Sequence, residues 1–433
     1  MIASMLLAQV VVLQGARLID GTGAPPVDNA TVVIDGDRIV AVGTPDKAVV
    51  HKGARTVDLH GRTIIPGLIS AHSHVGLVVD GQNKADGYTR DNVIAQLGQF
   101  ERYGVTSIIA LGLNRDLVYQ LRDEQKRGEF AGASLFTAGR GIGVPDAAPP
   151  VPVAPDQVYR PQTPEEAVAQ VRETASHHPD MLKLWVDDVY GKFPRMKPAV
   201  FQAAIAEAHK QGIRVAAHVF YLADAKALAA AGVDAFAHSI RDQPVDAELI
   251  GVMKSRGIFY VPTFTVDESA FIFADDPSLT QDAFFAAAVP PGLLKQLGSA
   301  EYKAKVAGDA NGPKIRAALA NGQHNLKALH DAGCRIAFGT DSGAQPVRIP
   351  GWAEHRELEL MVRAGLTPMQ ALVAATQGSA AMLGLTDRGT LEAGKRADLL
   401  VLAGDPLEKI SNTRQLVAVW HGGKEVKPAV AAK

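Results

Sequence analysis

"IIPGLISAHSHVG", residues 64–76, sets two imidazoles, His72 and His74, one residue apart where an apolar run ends. In an extended chain residues i and i+2 share a face, so both rings converge on one point while Ser73 faces away. Convergent imidazoles chelate divalent cations. Two hydrogen-bonded strand histidines in a core or at a surface would have the same spacing, so the flanking sequence must decide.

Upstream of this stretch the chain reads as short β-rich runs, "VVVLQGARLIDG" (10–21), "ATVVIDGDRIVAVG" (30–43) and "RTVDLHGRTIIPG" (55–67), punctuated by Gly, Asp, Asn and Pro. These predict a small antiparallel sheet. From residue 64 the pattern changes to apolar runs alternating with helical stretches. The runs are "IIPGLISAHSH", "GVTSIIALG", "ASLFTAGR", "MLKLWVDD", "IRVAAHVF", "VDAFAHSI", "GIFYVPTF" and "CRIAFGTDSG". Continuous apolar strands alternating with helices imply a parallel sheet covered by helices, and eight such units suit a closed (β/α)8 TIM barrel. The intervening helices carry their own signals. "TPEEAVAQVRETASHH" opens with a Thr cap, a Pro and early acids, and "KPAVFQAAIAEAHKQG" ends at a glycine.

Beyond the eighth run, "GTLEAGKRADLLVLAGDP" and "LVAVWHGGKEV" return to strands and turns. The two chain ends are therefore expected to pair into one discontinuous β-sandwich domain, residues 1–63 with 386–433, around a barrel of residues 64–385. The connection from about 266 to 312, with "ESAFIFADDPSLTQDAFFAAAVPPGLL", is long. It reads as a helical cover over the barrel mouth or as a subunit-contact arm. The Pro-rich "GIGVPDAAPPVPVAPDQVYRPQTP" reads as an irregular loop at the same end.

At 433 residues, 47% hydrophobic and 21% charged, the chain has material for a large core and lacks the composition of a disordered protein. A net charge of −2 gives no basic excess for nucleic acid or anionic lipid, so the expected partners are a small-molecule substrate and copies of the chain itself, as a homo-oligomer. One cysteine, Cys334, excludes an internal disulfide and cysteine zinc motifs. The apolar N-terminus "MIASMLLAQVVVL" lacks a basic segment, which predicts a cytoplasmic protein; a trimmed signal peptide would instead make it periplasmic or secreted.

Polar residues gather at the ends of the predicted strands: His72 and His74 on the first, Lys183 on the fourth, His218 on the fifth, His238 on the sixth and Asp341 on the eighth. In a (β/α)8 barrel the C-terminal strand ends form one mouth, so these groups become neighbours. Four histidines, a lysine and an aspartate would be costly as ordinary core, but they suit a divalent metal. Gly339 and Gly343, flanking Asp341, are expected to permit close backbone approach. His355, after the eighth strand, is expected near the mouth.

In this order and on these strands the residues resemble the amidohydrolase superfamily, and "AHKQGIRVAAHVF", "AAGVDAFAHSIRD" and "GKRADLLVL" resemble its imidazolonepropionase-related and prolidase-like branch. The resemblance spans nearly the whole chain. It implies a metal-dependent amidohydrolase cleaving a C–N amide bond of a dipeptide or N-acyl amino acid with metal-activated water. The alternative is opening of a cyclic amide or amidine, or cleavage of a urea or carbamate, at the same site. It further implies zinc held by His72, His74, Lys183, His218, His238 and Asp341. There are then two ions bridged by a carbamylated Lys183, or one ion held by His72, His74, His218 and Asp341 if the lysine is unmodified. Asp341 is the implied proton carrier, and His238 the group that polarises the substrate carbonyl. Prolidase-like relatives have a tyrosine two residues beyond the strand-five histidine, where this chain has Phe220 followed by Tyr221. Tyr221, Arg241 and Tyr190 are the expected substrate contacts, and the Phe-rich segments after residue 266 an expected apolar wall.

Overall fold

The structure, a computed structural model, describes residues 10–46, 48 and 53–432. The segment 1–9, on which the signal-peptide reading rests, lies outside them. All eight expected barrel strands form: Leu68–Ser73, Val105–Ala110, Ser134–Thr137, Leu182–Trp185, Val215–His218, Ala235–Ala237, Phe259–Val261 and Arg335–Ile336. Neighbours pair in parallel as two arcs, the first three strands and the last five. The arcs meet at both edges. Ala71 N donates to Phe338 O at 2.8 Å between the first and eighth strands, and Ile142 N donates to Lys183 O at 2.8 Å beside the fourth. Parallel bridges Ser73–Ser342 and Ile142–Leu184 complete the ring. The eighth strand is short because its chain turns inward: Thr340 N and Asp341 N both donate to His72 O, at 3.0 and 2.9 Å.

Both chain ends enter one eight-stranded sheet. Thr63–Pro66 pairs antiparallel with Leu399–Leu402, placing Ile65 opposite Leu400 and Ile64 opposite Val401. The sheet therefore continues through Pro66, beyond the boundary at 63 expected from sequence, because Gly67 rather than Thr63 is where the backbone leaves it. The sandwich is this single sheet folded over. Its early strands supply Leu13, Val32 and Ile39, and its late strands Leu399, Val401 and Trp420, to one apolar cluster. Where the turns at the two opposite ends of the strand order meet, Gly423 takes φ +72° and packs so closely on Gly36 that a Cβ would lie 1.8 Å from its carbonyl oxygen.

The helix Trp352–Arg363 fastens the barrel to this sheet region. His355 on it does not approach the mouth. It is fully buried, with Nε2 2.8 Å from the Tyr103 carbonyl and Nδ1 3.0 Å from the Thr413 hydroxyl. Burial lowers its pKa from 6.5 to about 3. The unfolded chain binds this proton below about 6.5 and the folded chain refuses it, so the contribution is complete above that pH and is lost as pH falls toward 3. Melting temperature is expected to decline steadily between these limits, by the equivalent of about 1.4 kcal/mol per pH unit from this group. His355→Gln should flatten that dependence; an unchanged profile would mean the ring titrates freely.

The insert after the seventh strand contributes Val266, Asp267 and Ala270 to the roof of a cavity at the mouth. Its phenylalanines do not form the expected apolar wall. Phe273 and Phe285 pack on Trp352, with ring centroids 5.7 and 4.9 Å away, and Phe284 packs on Tyr103 at 4.8 Å. The apolar lining comes instead from Pro149, Pro150 and Val151 of the Pro-rich loop, together with Val189 and Phe220. That loop is held by Arg160, which donates to the carbonyls of Val144, Ala147, Ala148 and Pro149. Among the described residues no helix is long and apolar enough to cross a membrane.

Candidate metal centre at the barrel mouth

His72 and His74 converge as their spacing requires: their Nε2 atoms lie 3.1 and 2.9 Å from the same oxygen, Asp341 Oδ1. His238 joins from the sixth strand with its ring 4.5 Å from that of His72. One donor atom each from His72, His238 and Asp341 fall within 4.8 Å of one another, and all three residues are buried. Lys183 Nζ stands 3.4 Å from His72 Nε2 with no exposed surface. His218 lies beside His238, ring centroids 4.3 Å apart, but its Nε2 faces Asp187 Oδ2 at 2.8 Å. His74, His218, His238 and Asp341 line one cavity of about 280 Å3, and His72 and Lys183 are buried directly against them.

The sequence profile of the amidohydrolase family matches residues 63–426. The chain belongs to the amidohydrolase family. It is 25% identical over 395 residues to the imidazolonepropionase of Deinococcus radiodurans, covering 89% of this chain and 88% of that protein. It is 27% identical over 473 residues to the ochratoxinase of Aspergillus niger, covering 98% and 88%. The crystal structure of a putative prolidase from Bifidobacterium longum superposes with a TM-score of 0.77 at 25% identity, covering 99% of this chain and 96% of the other. This amidohydrolase is therefore a hydrolase of carbon–nitrogen bonds.

The donor set of the amidohydrolase suits the divalent cation on which its family generally depends. Burial holds the imidazoles of His72 and His238 well below the ordinary 6.5, so each ring is neutral and keeps a lone pair. Burial alone would raise Asp341, but the charge of Arg348 and the hydrogen bonds of His72 and His74 outweigh it and hold the carboxyl well below its usual range. Desolvation lowers the Lys183 amine from 10.5 to about 7, against the opposing charges of Asp341 and Asp187. Two neutral imidazoles and a carboxylate within bonding reach are the ligands zinc-type ions take.

Backbone strain collects here. Leu113, Val189, Tyr190, Thr263 and Asp341 all take positive φ, from 49° to 63°, and each lies at a strand end facing the mouth or next to a residue that does. Asp341 is held in this conformation by Glu354. The hydroxyls of Thr340 and Ser342, on either side of it, donate to Glu354 Oε1 at 2.6 and 2.7 Å, and Gly351 N donates to Oε2 at 2.7 Å. Gly343 permits the turn, for a Cβ there would lie 2.1 Å from the His74 carbonyl oxygen. Glu354→Ala would strand three buried donors and is expected to cost roughly 2–5 kcal/mol of stability. Thermal melts should show the loss, accompanied by weaker metal retention as Asp341 relaxes; a melting point unchanged within error would refute the clamp.

The expected substrate contacts divide. Tyr190 and Arg241 line the cavity. Tyr221 does not: its hydroxyl donates to Asp188 at 2.8 Å and its ring carries the Arg195 guanidinium 4.0 Å away. Sequence reasoning missed Asp187, Arg348 and Glu354. Asp187, in "WVDD" at the end of the fourth strand, had the positional signal that singled out the histidines. Arg348, which forms an ion pair with Asp341 Oδ2, and Glu354 sit in loop and helix without any such signal.

Proposed function

We propose that the chain hydrolyses the amide bond of a dipeptide or N-acyl amino acid, with zinc as its divalent metal. His72, His74 and Asp341 would hold one ion and His218 and His238 a second. Lys183 would carry a carbamate as the oxygen donor between them, a reaction open to its amine because desolvation lowers its pKa to about 7, so that a substantial fraction is neutral near that pH. When bound, such a cation lowers the pKa of water and polarises the substrate carbonyl. Asp341 takes the proton released by the attacking water and passes it to the leaving nitrogen. His238, fixed through Nδ1 by the Thr263 hydroxyl at 2.7 Å, turns its other nitrogen to the reacting centre.

A single observation supports the substrate class. Among the residues lining the cavity, Arg241 is buried and its Nε–H has no hydrogen-bond partner among the described residues. Asp267 lies 3.3 Å from that nitrogen, an ion-pair contact at an angle that leaves the hydrogen unused. A buried guanidinium with its Nε–H unused, while Nη1 donates to Ser239 O at 3.1 Å, favours a carboxylate-bearing ligand, and Phe220, Val189 and Val151 suit an apolar acyl group. The purified chain should therefore cleave N-acyl amino acids and dipeptides in preference to cyclic imides and phenylureas. Arg241→Leu should raise KM for carboxylate substrates by roughly 10–100-fold, from a charged hydrogen bond of about 1.5–3 kcal/mol, and leave the corresponding amides unaffected. Preference for phenylureas or imides would discard this reading.

A further inference from the structure

The helix Trp352–Arg363 carries a second buried carboxylate one turn beyond Glu354, and it grips a second strained turn. Glu357 has no exposed surface. Its Oε1 accepts from Phe264 N at 2.7 Å and its Oε2 from Thr265 N at 2.8 Å. These N–H groups lie where the chain leaves the seventh strand, and the helix Thr265–Glu268 that begins there cannot satisfy them itself. The residue just before them, Thr263, is β-branched yet takes φ +49°, a conformation that persists only where its surroundings hold it. Further contacts tie this turn down. Val266 N donates to Thr263 O at 3.0 Å, the Thr265 hydroxyl donates to the Thr340 carbonyl at 2.9 Å, and Arg356 grips both oxygens of Glu268 at 2.7 and 2.6 Å. In this conformation the Thr263 hydroxyl lies 2.7 Å from His238 Nδ1.

We propose that Glu357 is a positioning residue for His238: by holding the Phe264 and Thr265 N–H groups it fixes the Thr263 turn, whose hydroxyl sets the rotation of the His238 ring. The strands that carry the two residues are parallel neighbours, with Ala237 opposite Val261, so a shift of the Thr263 turn is felt directly at the ring. The rings of His72 and His218, at centroid distances of 4.5 and 4.3 Å, limit the space of His238. Among the described residues the Thr263 hydroxyl is its hydrogen-bond partner. Glu354 and Glu357, three residues apart and hence on one face of the helix, then hold Asp341 and His238 in register from a single rigid element. The inference rests on the role given to His238 above.

Two measurements on the full chain test it. The first is a double-mutant cycle on kcat and KM of the zinc-loaded protein, with N-acetyl-L-phenylalanine as the probe. Thr263→Val removes the hydroxyl and keeps the shape. It should lower kcat by roughly 10–100-fold, the usual effect of losing a partner that orients an active-site histidine, with little change in KM, and Thr263→Ser should recover most of the loss. Glu357→Ala should lower kcat to a similar extent in the wild type and add little in the Thr263→Val background. Losses that simply multiply would overturn the proposal, as would a Glu357→Ala protein that melts lower with kcat intact, because Glu357 would then be a stabilising contact alone. The second is the 15N-histidine spectrum of metal-free protein, with the His238 signals identified by their absence in His238→Gln. They should move in Thr263→Val and in Glu357→Gln, which replaces one acceptor by a donor. His238 signals that stay in place in folded Glu357→Gln would overturn the proposal even if Glu357→Ala fails to fold. Wild type inactive on the probe, or His238→Gln as active as wild type, would count against the function proposed above, while the spectrum still decides whether Glu357 positions the ring.

Discussion

Asp341→Asn is expected to lower kcat by about 10²–10⁴-fold, the usual range for loss of a positioned general base, while the chain stays folded. Asp341 Oδ1 is shared by two imidazole nitrogens at 3.1 and 2.9 Å, and Oδ2 is paired with Arg348. An amide fills the same volume but cannot accept the proton of attacking water, and its NH2 group must face either the imidazoles or the guanidinium, where a donor is unwelcome. Bound zinc should fall in parallel, because an anionic donor is replaced by a neutral one beside the imidazoles of His72 and His74. KM should change little if the cavity wall binds the substrate. Circular dichroism and melting establish that the fold persists, and kcat within tenfold of wild type in a folded, zinc-loaded variant would remove Asp341 from the chemistry.

Stripping divalent cations with a chelator should have the other large effect: turnover falls to background, and zinc or cobalt restores it. The fold itself provides the reason. His72, His74, His238, Lys183 and Asp341 are all buried, with His72 Nε2 only 3.1 Å from Asp341 Oδ1 and 3.4 Å from Lys183 Nζ. Few arrangements of buried polar groups are retained at such a cost without a ligand to repay it. Metal loading should also raise the melting temperature in a concentration-dependent way, by RT ln(1 + [zinc]/Kd). Full activity in protein shown by elemental analysis to be metal-free would refute the mechanism, whatever the fold.

The sequence and the tertiary structure contributed different parts. Eight apolar runs alternating with helical segments sufficed for the barrel, because strand burial on both faces leaves a local pattern, and the H-x-H pair is legible because strand periodicity is local too. The ring of strand-end residues became legible once the barrel was assumed, since barrel geometry assigns every C-terminal strand end to one mouth. The return of the C-terminal strands to Thr63–Pro66 was readable in kind but not in register. Tyr221 and the Phe-rich insert were misplaced because propensity says nothing about which neighbour a ring or hydroxyl finds. Arg348 on Asp341, Asp187 on His218 and Glu354 beneath Thr340 and Ser342 are pairings that only the folded chain decides. Sequence on its own determined the barrel and the strand-end residues that its mouth brings together, because strand periodicity is local. Which oxygen meets which nitrogen was left to the tertiary structure, because hydrogen bonds depend on ångström-scale distances between segments that no local pattern encodes.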